Sequence, residues 1–361
     1  MEFDKETIVF VCSAKGSYTR NDVLRGVLRK IAGRYREVVS EKETYFERLL
    51  EVLRRWLILP KNNASLVLGF VAQALVPMAI VLGWRIAIMD VFISVFDTLC
   101  LDRKTFKADG CIGGMIKAYE RWCLNKADIL LTDTEENADY YAEIFGISRR
   151  RFVAVPVSAN ADLFRPPSRQ PGERSTDGKI RVLYYCTFLP LHGAGVVYQA
   201  ARLLSTDNHI EWVIVGKGPL SGRLDAELGR WGLPNVRRIP WVPYENLGLT
   251  VAEADICLAG HFSKNPKALR VVPGKAYQYL AAAKPVVLGD APANRRHFTH
   301  NQNAVFCDPE SADDLARTIW HLAADAKLRE KIGRNGFLLF QDQFCADVLA
   351  QKLSETLRDN A

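Results

Sequence analysis

The chain has 361 residues, of which 48% are hydrophobic and 25% are charged. This length suits two domains of roughly 150–180 residues each, and this composition excludes a disordered chain, a collagen-like chain and a polytopic membrane protein. Lysine and arginine total 48 against 41 acidic residues, which gives a net charge of +7 without any basic run. We therefore expect no nucleic-acid partner, and the mild excess suits an attraction toward phosphates or an anionic surface.

The eight cysteines and the N-terminus indicate the compartment. No C-x-x-C pair occurs, and most cysteines lie in apolar runs such as FVCSA, YYCTF and DICLA. This pattern predicts buried free thiols rather than a disulfide framework or a metal site. The stretch MEFDKETIVFVCSA is acidic before its first apolar run, so it does not resemble a signal peptide. We expect a cytoplasmic protein.

The first half of the chain alternates short apolar runs with helical patterns. TIVFVCSA predicts a first strand, followed by the loop KGSYTRND and a helix from about Asn21. RIAIMDVF, ADILLTDT and RFVAVPVS predict further strands, because each is a short apolar run bounded by turn residues.

Residues 62–84 carry no charge and are numerous enough to span a bilayer. Pro77 interrupts this run, which divides into a strand-like SLVLGFV and a helix-like AQALVPMAIVLG. A true span would also separate strands that should share one sheet. We therefore predict a buried strand and a helix here, and a monotopic membrane contact is the alternative.

A linker divides the chain. Residues 165–179, RPPSRQPGERSTDGK, are rich in proline, glycine and charge, which is typical of an interdomain segment. Beyond it, the predicted strands are IRVLYYCTF, IEWVIVGKG, VRRIPWV, DICLAG, KPVVLGD and NAVFCDP, with helices such as GAGVVYQAARLLS and SGRLDAELGRWG between them. Residues 345–358 predict a final amphipathic helix. The expected organisation is an N-terminal domain over 1–164, a linker over 165–179, a C-terminal domain over 180–340 and a terminal helix over 341–361.

Strands that alternate with helices on both sides of the linker predict two doubly wound α/β domains, which leave a cleft between them. Such sheets bind ligands at the carboxyl ends of their strands. In VIVGKGPLSGRL, Gly216 and Gly218 follow a strand and precede a helix, so the backbone there can approach an anion closely. A simple tight turn explains these glycines equally well.

The segment of residues 264–293 carries the clearest site. Pro273 and Gly274 open a helix, whose first turn attracts negative charge through unpaired N–H groups and the helix dipole. The cations around this start are Lys267, Arg270 and Lys275. Gln278 follows one turn later on the same face as Lys275. We predict a diphosphate site with Gln278 near a sugar hydroxyl. A solvated helix start with routine basic residues is the alternative.

Candidates in the first half are weaker. The loop of residues 15–20 follows the first strand, and Gly16 would let a ligand approach. Asp97, Asp102 and Arg103 in VFDTLCLDRK follow a later strand. Asp97 suits contact with a hydroxyl of a bound sugar, and a capping aspartate with a surface ion pair is the alternative. His297 and His300 suggest a solvated loop pair rather than metal ligands, because no Cys or carboxylate cluster accompanies them.

Motifs along nearly the whole chain carry a resemblance. GKAYQYLAAAKPVV resembles the late motif of retaining family-4, or group 1, glycosyltransferases of the GT-B fold. FDTLCLDRK, ADILLTDTEENADYYAEIFGI, RFVAVPVSANADLFRP, TFLPLHGAGVVYQAARLL and WVIVGKGP fall in the same order as in that family. The subset that the chain most resembles assembles bacterial surface polysaccharides. The resemblance implies two Rossmann-like domains that face a cleft, with the C-terminal helix returning to the N-terminal domain.

The resemblance also implies roles for particular residues. The C-terminal domain would hold a nucleotide-sugar donor, and the N-terminal domain would hold a glycan or polyprenyl-linked acceptor. The G-x-G-P turn of the family matches Gly216, Gly218 and Pro219. The lysine beside the donor diphosphate matches Lys275, with Arg270 in support, and the residue on the donor ribose matches Gln278. No metal or other cofactor is implied, because these cations and the helix start take its place.

The chain departs from the common family pattern at several positions. Arg270 and Gln278 stand where many members carry Glu-x7-Glu. The widespread G-R-L-x-x-x-K-G is CTFLPLHG here, with Thr187 and His192 in the Arg and Lys places and Gly193 after them. A later Arg-Glu pair is Arg295-Arg296. Glutamine keeps a hydrogen bond but loses its charge-assisted strength, and histidine is only partly charged at neutral pH.

Three function classes follow. A glycosyltransferase is favoured, in which cations stabilise the charge that develops on the leaving diphosphate. For a retaining enzyme, the resemblance implies that the departing phosphate itself takes the acceptor proton. A sugar-nucleotide epimerase or hydrolase of the same fold is the second class, and it would need more carboxylates and histidines. The third class is a non-catalytic subunit that binds sugar nucleotide, and the substituted residues permit it. Peripheral contact with the inner face of the cell membrane is compatible with all three.

Overall fold

The computed structural model describes residues 7–15, 18–61, 63–166 and 178–359. The chain divides into two compact units. The first extends to Ser158 and resumes at Ala346, and the second runs from Ala159 to Cys345. Most of the predicted linker over 165–179, namely residues 167–177, lies outside the described residues.

Each unit contains a six-stranded sheet in which every pairing is parallel. The strands of the first unit are β1 (Thr7–Lys15), β2 (Arg34–Ser40), β3 (Ala64–Leu68), β4 (Ile86–Asp90), β5 (Ala127–Thr132) and β6 (Phe152–Ala154). Those of the second are β7 (Ile180–Tyr185), β8 (Ile210–Val215), β9 (Val236–Ile239), β10 (Ile256–Gly260), β11 (Val286–Gly289) and β12 (Val305–Cys307). The spatial orders are β2-β1-β3-β4-β5-β6 and β12-β11-β10-β7-β8-β9.

Helices separate most of the strands. They are α1 (Thr19–Ile31), α2 (Tyr45–Leu57), α3 (Val76–Val81), α4 (Cys111–Leu124), α5 (Glu135–Phe145), α6 (Ala194–Leu203), α7 (Ser221–Trp231), α8 (Tyr244–Ala252), α9 (Pro266–Arg270), α10 (Gly274–Ala281), α11 (Pro292–His297), α12 (Ala312–Ala324), α13 (Ala326–Leu339) and α14 (Ala346–Asp359). The alternation of strand and helix in both units confirms the predicted doubly wound α/β class.

The uncharged run folds as a strand and a helix. SLVL forms most of β3, which pairs with β1 on one side and β4 on the other. Pro77 lies in the first turn of α3, where proline is tolerated because its missing N–H would have no helical partner. Within the described ranges, no helix is both long enough and apolar enough to cross a membrane.

The core of the first unit forms on both faces of its sheet. β1 is buried over most of its length, as expected for an interior strand of a parallel sheet covered on both sides. α14 packs against α1 in this unit, since Leu349, Leu353 and Leu357 recur every four residues and bury one face. The predicted return of the C-terminal helix to the N-terminal domain is confirmed.

The chain reverses direction across the second sheet between β7 and β10, because β8 and β9 lie on one side of this pair and β11 and β12 on the other. Ligands of open α/β sheets bind at such a reversal, outside the carboxyl ends of the strands. The described cysteines are free, and six of the eight are buried as predicted. Cys111 is exposed and Cys345 is half-buried, because both lie at helix starts rather than in strands.

Candidate functional site

Loops at the carboxyl edge of the second sheet abut one another through their backbones. A Cβ on Gly216 would lie 1.9 Å from the carbonyl oxygen of Cys186, and one on Gly218 would lie 1.7 Å from that of Thr187. Gly193 has a φ of +65°, and a Cβ there would lie 1.9 Å from the carbonyl oxygen of Phe262. Side chains are therefore excluded at these contacts by loop packing, whether or not a ligand also approaches. Ligand contact at the three glycines stays a prediction.

The G-x-G-P turn leads into α7. The hydroxyl of Ser221 donates to the carbonyl oxygen of Gly218 at 2.8 Å and accepts from its N–H at 3.3 Å. Pro219 is exposed between them. The turn is therefore held by its own hydrogen bonds and leaves Pro219 at the surface of the unit.

Lys275 lies in the first turn of α10, where the sequence predicts it. Its Nζ is buried and has no hydrogen-bond partner among the described residues. The Nζ lies 5.0 Å from the ring centre of Tyr184 and 5.9 Å from that of Tyr185, within cation–π range. Burial lowers the pKa of Lys275 to about 8. A buried ammonium without a hydrogen-bonded counter-ion is costly, and such an exception requires an explanation.

Two imidazoles stack beside this lysine. The rings of His192 and His261 lie 5.6 Å apart and are nearly parallel. Nδ1 of His192 accepts a hydrogen bond from the N–H of Leu189 at 3.3 Å, so a neutral His192 carries its proton on Nε2. Burial, followed by the charge of Lys275 and the neighbouring imidazole, holds the pKa of His192 well below its usual value.

His261 follows β10 directly, at the reversal of strand order. Burial, followed by the charges of Lys275 and Lys267, lowers the pKa of His261 to about 3. Its Nδ1 is buried without a hydrogen-bond partner in the described part of the chain. Sequence reasoning missed this residue, although its position immediately after the predicted strand DICLAG was an available signal. Both imidazoles are neutral at pH 7, so His192 is less charged than the sequence suggested.

Gln278 lies one turn after Lys275 on α10 and is buried. Its Oε1 lacks a hydrogen-bond partner among the residues that the structure describes. A buried amide oxygen of this kind costs free energy unless a donor reaches it. Its position is compatible with the predicted contact to a sugar hydroxyl.

The two remaining cations of the predicted site belong to α9. The side chain of Asn265 accepts a hydrogen bond from the N–H of Lys267 at 2.9 Å and so caps this short helix. Arg270 is its last residue, and both cationic side chains are half-buried. The effect of Lys267 on the pKa of His261 indicates that its charge lies near the imidazole pair.

The predicted positions near the end of the second unit, Arg295, Arg296, His297 and His300, lie between β11 and β12 in the chain. Arg295 pairs with Asp290, with Nη2 and Oδ2 2.6 Å apart, and Nδ1 of His300 accepts from the N–H of Phe306 at 3.0 Å. His297 packs edge-on against Phe344 instead. Within the described ranges, no three His, Cys, Asp or Glu side chains come together in a group suited to a metal ion. Metal independence stays a prediction.

The first-unit candidates are placed differently. Gly16 lies outside the described residues. Asp97 is buried at the start of a π-helical segment, Asp97–Asp102, and its Oδ1 accepts from the hydroxyl of Tyr140 at 3.2 Å. The alternative of a surface ion pair for Asp97 is therefore wrong, because the segment turns this side chain into the unit. Contact of Asp97 with a substrate stays a prediction.

The carboxyl edge of the first sheet contains a charged group that the sequence did not indicate. Arg20 and Asp90 form a fully buried ion pair with Nη2 and Oδ1 2.9 Å apart. Arg20 also donates to the carbonyl oxygens of Thr132 and Val155. Close by, burial raises the pKa of Asp133 to about 6. These residues are far apart in sequence, so no local pattern brings them together.

Comparisons with known proteins agree with this architecture. Residues 168–338 match the family described as "Glycosyl transferases group 1". No curated protein matches the chain. A crystal structure of Anabaena Alr3699/HepE in complex with UDP-glucose has a TM-score of 0.74 at 13% identity, over 98% of this chain and 99% of that one.

Two further structures are similar. Sucrose-phosphate synthase from Thermosynechococcus elongatus has a TM-score of 0.69 at 13% identity, over 98% of this chain and 99% of that one. A mutant of S. aureus TarM, in complex with Fondaparinux, alpha-GlcNAc-glycerol and UDP, has a TM-score of 0.65 at 13% identity, over 86% of this chain and 59% of that one. The GT-B fold is confirmed by these likenesses, and the predicted resemblance to group 1 glycosyltransferases is confirmed over residues 168–338, where that family matches.

Proposed function

We propose that this protein transfers a sugar from a nucleoside-diphosphate sugar to a glycan or polyprenyl-linked acceptor, with retention of configuration, in surface-polysaccharide assembly. The match of residues 168–338 to the group 1 glycosyltransferases supports glycosyl transfer from a nucleotide sugar. The observation that carries the proposal is the buried Nζ of Lys275, which has no hydrogen-bond partner among the described residues. Oxygen atoms of a diphosphate would supply the missing counter-charge and hydrogen bonds.

The surroundings of Lys275 suit a diphosphate rather than a single carboxylate. The first-turn N–H groups of α10 point toward the same end of the helix. His192 offers Nε2–H as a neutral donor, and Lys267 adds charge from α9. Several donors spread over three segments match the several oxygens of a diphosphate. When the donor bond breaks, the diphosphate gains charge, and groups that are already oriented stabilise that charge most effectively.

Roles for the other candidates follow from this arrangement. Gln278 would accept a hydrogen bond from a ribose hydroxyl through Oε1, which lacks a partner within the described residues. Arg270 would reinforce the diphosphate contact from the end of α9. Asp97, whose Oδ1 already accepts from Tyr140, stays a candidate for contact with the acceptor. No acidic catalyst is needed for a leaving group this good, and the departing phosphate would take the acceptor proton.

Structural neighbours support the donor class. Anabaena Alr3699/HepE is described in complex with UDP-glucose and with UDP, and the TarM mutant is described with UDP and alpha-GlcNAc-glycerol. We propose a nucleotide-sugar donor for this chain on the same grounds, with neither a metal nor another cofactor. We also propose a cytoplasmic location with peripheral contact to the inner face of the membrane, where a polyprenyl-linked acceptor would be presented.

A non-catalytic subunit is the second candidate. The observation that favours it is the neutral state of His192, whose pKa is held low by burial and by Lys275. A neutral imidazole supplies less transition-state stabilisation than the cation that many relatives carry. Such a site would still bind a nucleoside diphosphate. Turnover, rather than binding, separates the two candidates.

Calorimetric titration with UDP, GDP and ADP tests the site. Lys275→Ala and Arg270→Ala should each lower the affinity for the best-bound nucleotide about ten- to hundredfold, since each removes one charge-assisted contact. The matched control is Lys264→Ala, because Lys264 lies in the same unit but is exposed and pairs with Asp308 at 3.0 Å. Unchanged affinity in Lys275→Ala would contradict the proposal. A chelator should leave nucleotide binding intact, because no metal is proposed. Sugar transfer from any nucleotide sugar of a donor panel would exclude the non-catalytic subunit.

A further inference from the structure

One side of α4 presents a continuous apolar stripe. Ile112, Met115, Tyr119 and Trp122 are 52%, 67%, 42% and 40% exposed. They are spaced by three, four and three residues, which places them on one helix face. Scattered exposed apolar residues need no explanation, but a contiguous row of large side chains marks an interaction surface. We call these four residues the α4 stripe.

The opposite face of α4 is anchored, so the stripe cannot turn inward. The buried carboxylate of Glu120 accepts hydrogen bonds from the N–H of Phe96 and the hydroxyl of Ser94, both at 2.8 Å. It also accepts from the N–H of Val95 at 3.0 Å and from Nε2 of Gln73 at 2.8 Å. A buried carboxylate with four donors resists rotation of the helix. The exposure of the stripe is therefore a fixed property of the folded unit.

The aromatic end of the stripe has a polar rim. The rings of Tyr119 and Trp122 stack at 5.9 Å, and the Nζ of Lys126 lies 5.6 Å from the ring centre of Trp122. The hydroxyl of Tyr119 donates to the carbonyl oxygen of Gln73 at 2.8 Å. Trp and Tyr side chains are enriched at the boundary between apolar chains and polar headgroups, where the ammonium group of a lysine also reaches the headgroups.

The charges around the stripe are predominantly positive. Every residue between Arg103 and Lys126 is described, and the exposed cations there are Arg103, Lys104, Lys107, Arg121 and Lys126. The carboxylates of this span are Asp109, which is exposed, and Glu120, which is buried. An apolar row bordered by cations is complementary to a surface that is apolar inside and anionic outside.

We propose that the α4 stripe and its cations bind an anionic lipid surface. The inference deepens the peripheral membrane contact put forward above, and it rests on that contact. Trp122 and Met115 enter the boundary between headgroups and acyl chains, while Arg121 and Lys126 contact lipid phosphates. The occupant is a lipid bilayer rather than an acidic protein, because the apolar residues form a row along one helix face rather than a groove that would select a peptide sequence.

Co-sedimentation of the full chain with vesicles tests the proposal. Binding should be strong to phosphatidylcholine containing one third phosphatidylglycerol, and weak to phosphatidylcholine alone. The double variant Met115→Ser/Trp122→Ser should lower partition to the anionic vesicles by about tenfold or more. Arg121→Glu/Lys126→Glu should lower it at low salt and remove most of its salt dependence.

The chain offers a matched control. Leu203 and Trp320 are 52% and 51% exposed in the second unit and line one hollow with Asp207. Leu203→Ser/Trp320→Ser removes a comparable apolar pair and should leave vesicle binding unchanged. UDP calorimetry without vesicles reports the donor site independently, so loss of membrane binding and loss of the proposed function are distinguishable. The same titration and far-UV circular dichroism verify that each variant is folded.

Three outcomes would overturn the proposal. Equal binding to neutral and anionic vesicles would remove the charge argument. If both α4 variants bound the anionic vesicles as strongly as the wild type does, any membrane contact would lie elsewhere on the chain. A concentration-dependent dimer that Met115→Ser/Trp122→Ser dissociates, with no vesicle binding by the wild type, would assign the stripe to a second copy of the chain.

Discussion

Both sheets carry a buried cation at their carboxyl edges, but the two edges compensate the charge differently. In the first unit, Arg20 meets Asp90 at 2.9 Å and is also bonded to backbone carbonyl oxygens. In the second unit, the Nζ of Lys275 faces two tyrosine rings and has no hydrogen-bond partner within the described residues. The first charge is neutralised by groups of the fold, whereas the second has no hydrogen-bonded counter-charge among the described residues.

A difference of this kind is expected between a charge that supports the fold and a charge that binds a ligand. Removing one partner of a buried, hydrogen-bonded ion pair is strongly destabilising, because the other charge is left buried and unpaired. A lone buried ammonium is a standing cost to the folded protein, and such a cost is typical of sites where function opposes stability. Removing a charged side chain should therefore destabilise the protein at the first edge and stabilise it at the second.

The largest loss of stability is expected at the carboxyl edge of the first sheet, where Arg20 pairs with Asp90. Asp90→Ala leaves Arg20 buried without its carboxylate and should lower the free energy of unfolding by about 3–5 kcal/mol. Urea unfolding followed by circular dichroism measures the loss, and hydrogen exchange of the β4 amides assigns it to the first unit. Glu43→Ala breaks an exposed pair with Lys15 and should change stability by less than about 1 kcal/mol. Similar values for the two variants would contradict the structural role of Arg20.

The next largest loss of stability is expected from a substitution of Gly216, at the carboxyl edge of the second sheet. Gly216 has a φ of +128°, and a Cβ there would lie 1.9 Å from a carbonyl oxygen, so Gly216→Ala should cost about 2–4 kcal/mol. Gly229 in α7 faces open space, since a Cβ there would have no neighbouring atom within 4 Å, and Gly229→Ala should stabilise by about 0.5–1 kcal/mol. Thermal unfolding compares the two. If Gly216→Ala instead weakened UDP binding at unchanged stability, the glycine would serve ligand approach rather than loop packing.

Substitution of Lys275, whose charge has no hydrogen-bonded partner among the described residues, should change stability in the opposite direction to substitution of Asp90. Lys275→Met keeps the bulk but removes the buried charge, so it should stabilise the unliganded protein by about 1–3 kcal/mol at pH 7. The pKa of Lys275 is lowered to about 8 by burial, so the folded state loses this proton before the unfolded state does. Wild-type stability should therefore gain a contribution as the pH rises above about 8. Lys275→Met should lack that contribution and should bind UDP poorly.

Melting temperatures of both proteins between about pH 7 and pH 9.5, with and without UDP, measure these effects. Lys275→Arg is the control, because its guanidinium stays charged over this range and should not reproduce the pH-dependent gain. A destabilised Lys275→Met without UDP would show that the ammonium is already satisfied in the free protein. The comparison of the two edges would then fail.

The sequence predicted one edge better than the other for a physical reason. The alternation of apolar runs is local, so it indicated the strands of both sheets, and Pro273 with Gly274 indicated the helix start beside Lys275. His261 was missed because its importance depends on the order of β7 and β10 in space. Arg20 and Asp90 were missed because 70 residues separate them, and Arg20 on its own resembles an exposed loop cation.

The smallest predicted effect concerns Gln278 and sharpens the account of the uncompensated edge. Gln278→Leu keeps the bulk but leaves the ribose hydroxyls without an acceptor, so donor affinity should fall by about 1–3 kcal/mol. Gln278→Glu restores the acidic residue of the common family pattern, and turnover should stay within about tenfold of the wild type. The assay is sugar transfer from a nucleotide-sugar panel to oligosaccharide and polyprenyl-linked acceptors. If Gln278→Leu turned over as fast as the wild type, the buried amide would not touch the donor. If the wild type bound UDP tightly but transferred sugar from no donor to any acceptor, the non-catalytic subunit would be favoured.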